Sequence, residues 1–210
     1  MSHQDWFRNT EWNESIERAF EEKLRRARQK SQYLRIQAST LAESHPTVAL
    51  RLLERYLALD DKFDRAQAYC DQATAFRELG RIDDAVSAYE KALHREAECP
   101  NLKTQAYVEL PFLIATRRLL ERFDQAEQIL RDYQSRLTFP VDRFMWHSAM
   151  ALIAESRGDG ASASEHAARA LIEANQRHSG LQFHPAIGLV TQRHQRLIDQ
   201  LTPMSGKPVH

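Results

Sequence analysis

The stretch Ala66-Gln67-Ala68-Tyr69-Cys70-Asp71-Gln72-Ala73-Thr74-Ala75-Phe76-Arg77-Glu78-Leu79-Gly80-Arg81-Ile82-Asp83-Asp84-Ala85-Val86-Ser87-Ala88-Tyr89-Glu90-Lys91-Ala92-Leu93 decides the fold. Strong helix formers fill it on both sides of Leu79-Gly80-Arg81, and its apolar residues return every three or four positions, which predicts two amphipathic helices around one reversal. Small Ala73 and Ala85 let the two helices approach closely, while Tyr69, Phe76, Ile82 and Tyr89 fill the space around them. Gly80 stands where the first helix must end and the chain turn back, a left-handed position that glycine takes cheaply. Asp83 and Asp84 supply the acidic first turn that favours the start of the second helix.

The pattern Tyr69, Ala73, Phe76, Gly80, Ala85, Tyr89, Ala92 resembles the tetratricopeptide repeat (TPR): aromatic, small and aromatic in a first helix, a turn glycine, then alanine, aromatic and alanine in a second. With Ala85 as anchor, similar units centre on Ala49, Ala126 and Ala163, at offsets of 36, 41 and 37 residues, against about 34 for the consensus. In the first unit Tyr33, Ile36 and Leu53 match, with Ser44-His45-Pro46 in place of the glycine turn. In the third, Glu121 occupies the turn position and Pro111 interrupts the first helix, where a kink is expected. In the fourth, Gly158-Asp159 turns the chain, Ala163, Ala167 and Ala170 form the close-packed face, and His147 replaces the first-helix aromatic. The resemblance implies an all-α solenoid of about four degenerate helix pairs, near residues 30–61, 66–98, 102–137 and 142–175.

The flanks extend this domain over residues 13–201. Phe20, Leu24, Ala27, Ser31, Leu34, Ala38 and Leu41 alternate spacings of four and three, a stripe that predicts one extended helix running into the first repeat. Pro185 opens an expected capping helix over 185–201, carried by Ile187, Val190, Leu197, Ile198 and Leu201, and residues 202–210 read as a loose tail. Ahead of the domain, residues 1–12 form an aromatic arm with Trp6, Phe7, Arg8 and Trp12. The arm either docks on the body of its own chain, with Asn9 or Thr10 capping the long helix, or presents an anchor to a partner.

Composition narrows the function. The 210 residues carry 29 basic and 29 acidic side chains, so no net field draws the chain toward nucleic acid or a membrane. No apolar run approaches the roughly 20 residues of a membrane span. The N-terminus lacks the basic-then-apolar pattern of a secretory signal, and the two cysteines suit a reducing compartment, so a cytoplasmic location is expected. Arginine outnumbers lysine 23 to 6, a bias that GC-rich bacterial genomes favour.

Chemical motifs are scarce. There is no phosphate-cradling glycine loop, paired-cysteine zinc motif or His-Glu-x-x-His run. Nine histidines, with His178, His184 and His194 close together, do not place two ligands at i and i+4, and no metal or cofactor is expected. Cys70 reads as a small buried or groove-lining thiol rather than a nucleophile. Asp60-Asp61 and Asp83-Asp84 read as helix-end residues, and Arg25, Arg26, Arg28 and Lys30 as a solvated face balanced by Glu17, Glu21 and Glu22.

The resemblance also implies a concave face lined by first helices. It falls on Leu34, Ala38 and Leu41; Gln67, Cys70, Thr74 and Arg77; Val108, Pro111, Ala115 and Arg118; and Met145, Ser148 and Leu152. The basic and asparagine side chains with which chaperone-binding members hold a terminal carboxylate are missing from these positions. The expectation is a non-enzymatic adaptor or inhibitor that holds a protein or peptide segment in this groove. Alternatives are a regulatory receptor for a short peptide or small apolar ligand, or a toxin-immunity protein, and a homodimer is one form the partner can take.

Overall fold

The computed structural model describes residues 6–59, 64–99 and 101–206. The first five positions of the expected arm, the pair Asp60-Asp61 and the last four positions of the expected tail lie outside the described residues. Among the described residues the chain is all-helical, with ten α-helices and no strand. None of these helices is long and apolar enough to cross a membrane. The chain divides into two compact units, Met1–Ala106 and Tyr107–His210.

In the first unit α1 spans Glu14–Arg26, α2 Lys30–Leu41, α3 Pro46–Leu57, α4 Arg65–Glu78 and α5 Ile82–Glu98. The single helix expected across Trp12 to Leu41 is two helices, because Ala27 is extended (φ −74°, ψ 142°) and Gln29 is also non-helical. The break lets Phe20 and Leu24 of α1 turn into the core made by Leu34, Ala38 and Leu41 of α2, Leu52, Leu53 and Tyr56 of α3, and Ala68 and Ala75 of α4. Burying each of the two large side chains is worth about 1.5–3 kcal/mol, more than the helical hydrogen bonds lost at the break. Asn13, not Asn9 or Thr10, caps α1: its Oδ1 accepts from the N–H groups of Ser15 and Ile16, both at 3.0 Å.

Successive helices pack against one another, α2 with α3, α3 with α4 and α4 with α5. Charged rungs fix the direction of others. Arg51 donates to Glu17 and Arg55 to Glu21, each pair 34 residues apart, so α1 and α3 run parallel. Arg35 and Ser39 of α2 likewise reach Asp64, just ahead of α4, and Asp71 on α4.

The second unit contains α6 from Tyr107 onward (the helix is Ala106–Thr116), α7 Phe123–Asp132, α8 Pro140–Ser156, α9 Gly160–Ala174 and α10 Gln195–Met204. Helix α6 is continuous through Pro111. Trp146, buried on α8, donates its indole N–H to the Leu130 carbonyl of α7 at 2.9 Å. The capping helix expected over 185–201 begins ten residues later, at Gln195, and runs to Met204, taking in three positions read as tail. Gly188 is the reason: its φ is +73°, and a Cβ there would lie 2.4 Å from the Phe139 ring. Its carbonyl accepts from Val141 N–H at 2.9 Å, so this part of the chain is held against the start of α8 instead of coiling.

The helix reversals share one geometry. Gly80 has φ +71°, as its turn position requires, and Arg81 N–H donates to the Phe76 carbonyl at 2.9 Å. Gly158 has φ +78°, and Asp159 N–H donates to Ala154 at 2.9 Å. Between α6 and α7 that place is held by Arg118 at φ +53°, with Leu119 N–H on Ile114 at 3.0 Å, and not by Glu121. Leu120–Arg122 form an added 3-10 turn, which displaced the sequence register. A left-handed L-residue costs about 1–2 kcal/mol, part of which glycine returns to the flexibility of the unfolded chain. Arg118→Gly should therefore stabilise by about 0.5 kcal/mol and Gly80→Val destabilise by 1 kcal/mol or more, as measured by urea denaturation followed by circular dichroism.

Candidate functional site

Four aromatic contacts and one amide hold the N-terminal arm on α1 and α2. Trp6 lies 5.4 Å from Phe20 of α1 and 4.9 Å from Tyr33 of α2, centroid to centroid, and Phe7 lies 4.7 Å from Tyr33. Trp12 meets Phe20 edge-on at 5.6 Å. Between these contacts, Gln37 of α2 grips the main chain of Asn9. Its Oε1 accepts from Asn9 N–H at 3.0 Å and its Nε2 donates to the Asn9 carbonyl at 2.8 Å. The Asn9 side chain adds Nδ2 bonds of 2.8 Å to Gln37 Oε1 and to the Trp6 carbonyl.

Gln37 is fully buried, and a buried amide is tolerable only when both of its ends are bonded. The Asn9 main chain satisfies both. Helix α2 thus holds the arm by its backbone at Asn9, while Trp6 and Phe7, in a turn, add an apolar contribution that depends on side-chain identity. Arg8 stays exposed, its guanidinium 5.6 Å from the Phe7 ring centre.

The residues projected onto a concave face have mixed fates. Leu34, Ala38 and Leu41 belong to the first unit's core, against which Trp6, Phe7 and Trp12 also pack. Cys70, Val108, Pro111, Ala115, Met145, Ser148 and Leu152 are buried as well. Gln67, Thr74 and Arg77 are half-buried, and only Arg118 is exposed. The structure joins Gln67 to a polar cluster that the sequence reading did not single out: Asp71 accepts from Gln67 at 3.1 Å and Ser39 at 3.2 Å, with Arg35 at 3.5 Å. Burial pushes the Asp71 carboxyl above its ordinary range, opposed by Gln67 and the Arg35 charge. The signal in sequence was a lone acid at Asp71 between Cys70 and Ala73 on an otherwise small-residue face.

Elsewhere polar groups serve local structure. An open cleft of about 530 Å³ between α4 and α5 is lined by Arg65, Tyr69, Lys91, His94, Arg95 and Glu98 among others. Its charges compensate one another, with Arg95 on Glu98 at 2.7 Å and His94 at 3.4 Å. His178 accepts from Gly180 N–H and His194 from Thr191 N–H, each shaping its own loop. Among the described residues no three His, Cys, Asp or Glu side chains are placed to hold a metal.

No family model, curated protein or solved structure matches this chain.

Proposed function

We propose that the chain is a noncatalytic recognition module, an α-solenoid of degenerate TPR-like helix pairs that holds a segment of a partner protein. Three features support the solenoid reading. Helices α1 and α3 run parallel at a 34-residue offset. The pair α4 and α5 is antiparallel, with Arg77 bonded to Tyr89 while Tyr69 and Arg95 line one cleft. Three helix reversals, at Gly80, Arg118 and Gly158, repeat one hydrogen-bond pattern.

The observation that carries the recognition reading is the way Gln37 pairs with both main-chain groups of Asn9. A site that satisfies the backbone groups of one residue and adds an aromatic seat beside it suits a short aromatic peptide segment. In this chain the arm fills that seat, and a partner segment of similar chemistry takes it when the arm leaves.

The test uses the full-length chain with Trp6→Ala and Phe7→Ala, which empties the aromatic seat. A fluorescein-labelled peptide of residues 6–12 should then raise fluorescence anisotropy saturably, and adding Gln37→Leu should abolish that binding. A helical protein that shows no saturable binding would sink the reading.

A further inference from the structure

Two histidines face each other across α8 and α9, near the middle of the antiparallel pair. His147 Nδ1 on α8 lies 3.0 Å from His166 Nδ1 on α9. The ring centroids are 5.3 Å apart and the planes are tilted by 36°. At this distance one nitrogen donates and the other accepts, so the neutral pair uses one Nδ1–H tautomer and one Nε2–H tautomer. Trp146 presses edge-on against both rings, at 4.8 Å from His147 and 5.5 Å from His166.

Protonation acts on this contact in two steps. A first proton, on Nε2 of the donating ring, leaves the shared hydrogen bond in place. A second must go to the accepting Nδ1. Every ring nitrogen is then a donor, and two like charges face each other with nothing to accept between them.

The charged groups around the pair favour neutral His147 and divide over His166, where Glu165 outweighs Arg169. Arg143 on α8 and Arg169 on α9 both act against protonation, although each is paired, Arg143 with Glu173 at 3.0 Å and Arg169 with Glu165 at 2.7 Å. Glu165 acts the other way on His166. Neither arginine takes part in the recognition site described above.

We propose that His147 and His166 form an acid-sensitive clasp: neutral, they bind α8 to α9 and seat Trp146 against α7; doubly protonated, they part and loosen the second unit. Burial first, then the His166 charge and the two arginines, pushes His147 down to about 4, and burial also lowers His166. Between the ordinary value of 6.5 and about 4, the unfolded chain binds more protons than the folded one. Stability is therefore lost as the pH falls through that window and is fully present above it.

For His147 alone, the difference between those values corresponds to a change of about 300-fold in the unfolding constant. Because both rings are half-exposed, screening by solvent brings the expected change to about tenfold. Urea denaturation of the full chain at pH 7.5 and 4.5 should show that increase, and His147→Gln/His166→Gln should lose most of it. Equal pH dependence in both proteins overturns the clasp. Should the double variant fail to fold, proton NMR of the unaltered chain decides: assigned His147 and His166 resonances that titrate in successive steps, both below the ordinary value and that of His147 near pH 4, support the clasp. If all the histidines titrate near 6.5, the clasp is overturned.

Discussion

Trp6→Ala should lower the stability of the first unit by about 2–3 kcal/mol, near the low end for truncation of a large aromatic because Trp6 is only half-buried. The loss has two sources. The indole contacts with Phe20 and Tyr33 disappear, and the Gln37–Asn9 clamp must then hold the arm without its anchor. If the clamp lets go, a fully buried amide is left without its partners, which adds a further penalty of about 1–3 kcal/mol. Urea titration followed by circular dichroism measures the sum. A midpoint that does not move would show that the arm is dispensable for the fold and that its contacts contribute little. Trp6→Phe should recover much of the loss, since a smaller aromatic still fills part of the seat.

The second large effect is expected at Gly188→Val. Here two penalties fall on one position: a left-handed backbone at φ +73°, and a Cβ that would stand 2.4 Å from the Phe139 ring, inside any permitted contact. About 2–4 kcal/mol should be lost, and the Phe139 ring must move, which disturbs the Val141 N–H bond to the Gly188 carbonyl. Gly180→Val is the matched control. Its φ is +90°, yet nothing lies within 4 Å of a Cβ there, so only the backbone penalty of roughly 1–2 kcal/mol applies. Equal losses at the two positions would mean that the Phe139 contact plays no part in holding this loop.

The helix pair between Ala66 and Glu98 was legible because its packing leaves a local trace: alanines on the buried faces, aromatics at their flanks, and a glycine where the backbone turns left-handed. Where the trace is not local, the reading went astray. The apolar stripe from Phe20 to Leu41 reports which face is buried, and two helices folded onto a common core satisfy it as well as one long helix does. Anchoring the third pair on Ala126 placed the turn at Glu121, because a three-residue 3-10 insertion leaves the helix pattern on either side intact. Gly188 sits in a run whose apolar spacing suits a helix; only the Phe139 ring, 49 positions earlier, shows why it is not one.

The candidate site was half legible. Trp6, Phe7 and Trp12 stood out by type. Gln37 did not, since a glutamine that bonds a buried backbone and one that faces water look alike in sequence. Asp71 and the His147–His166 pair depend on helices that meet only in the folded chain, and no spacing along the chain announces them.

The side-chain hydrogen bonds that tie the arm and the first four helices together join residues 28–34 positions apart, among them Asn9 with Gln37 and Glu17 with Arg51. That separation orders events during synthesis. Trp6 and Phe7 leave the ribosome ahead of Tyr33 and Gln37 and wait, uncovered, until these follow them out, an interval of a few seconds at about 5–20 residues per second. Each later helix then finds its neighbour already made. The chain can settle as it emerges, with short loops to close and little need for its far end.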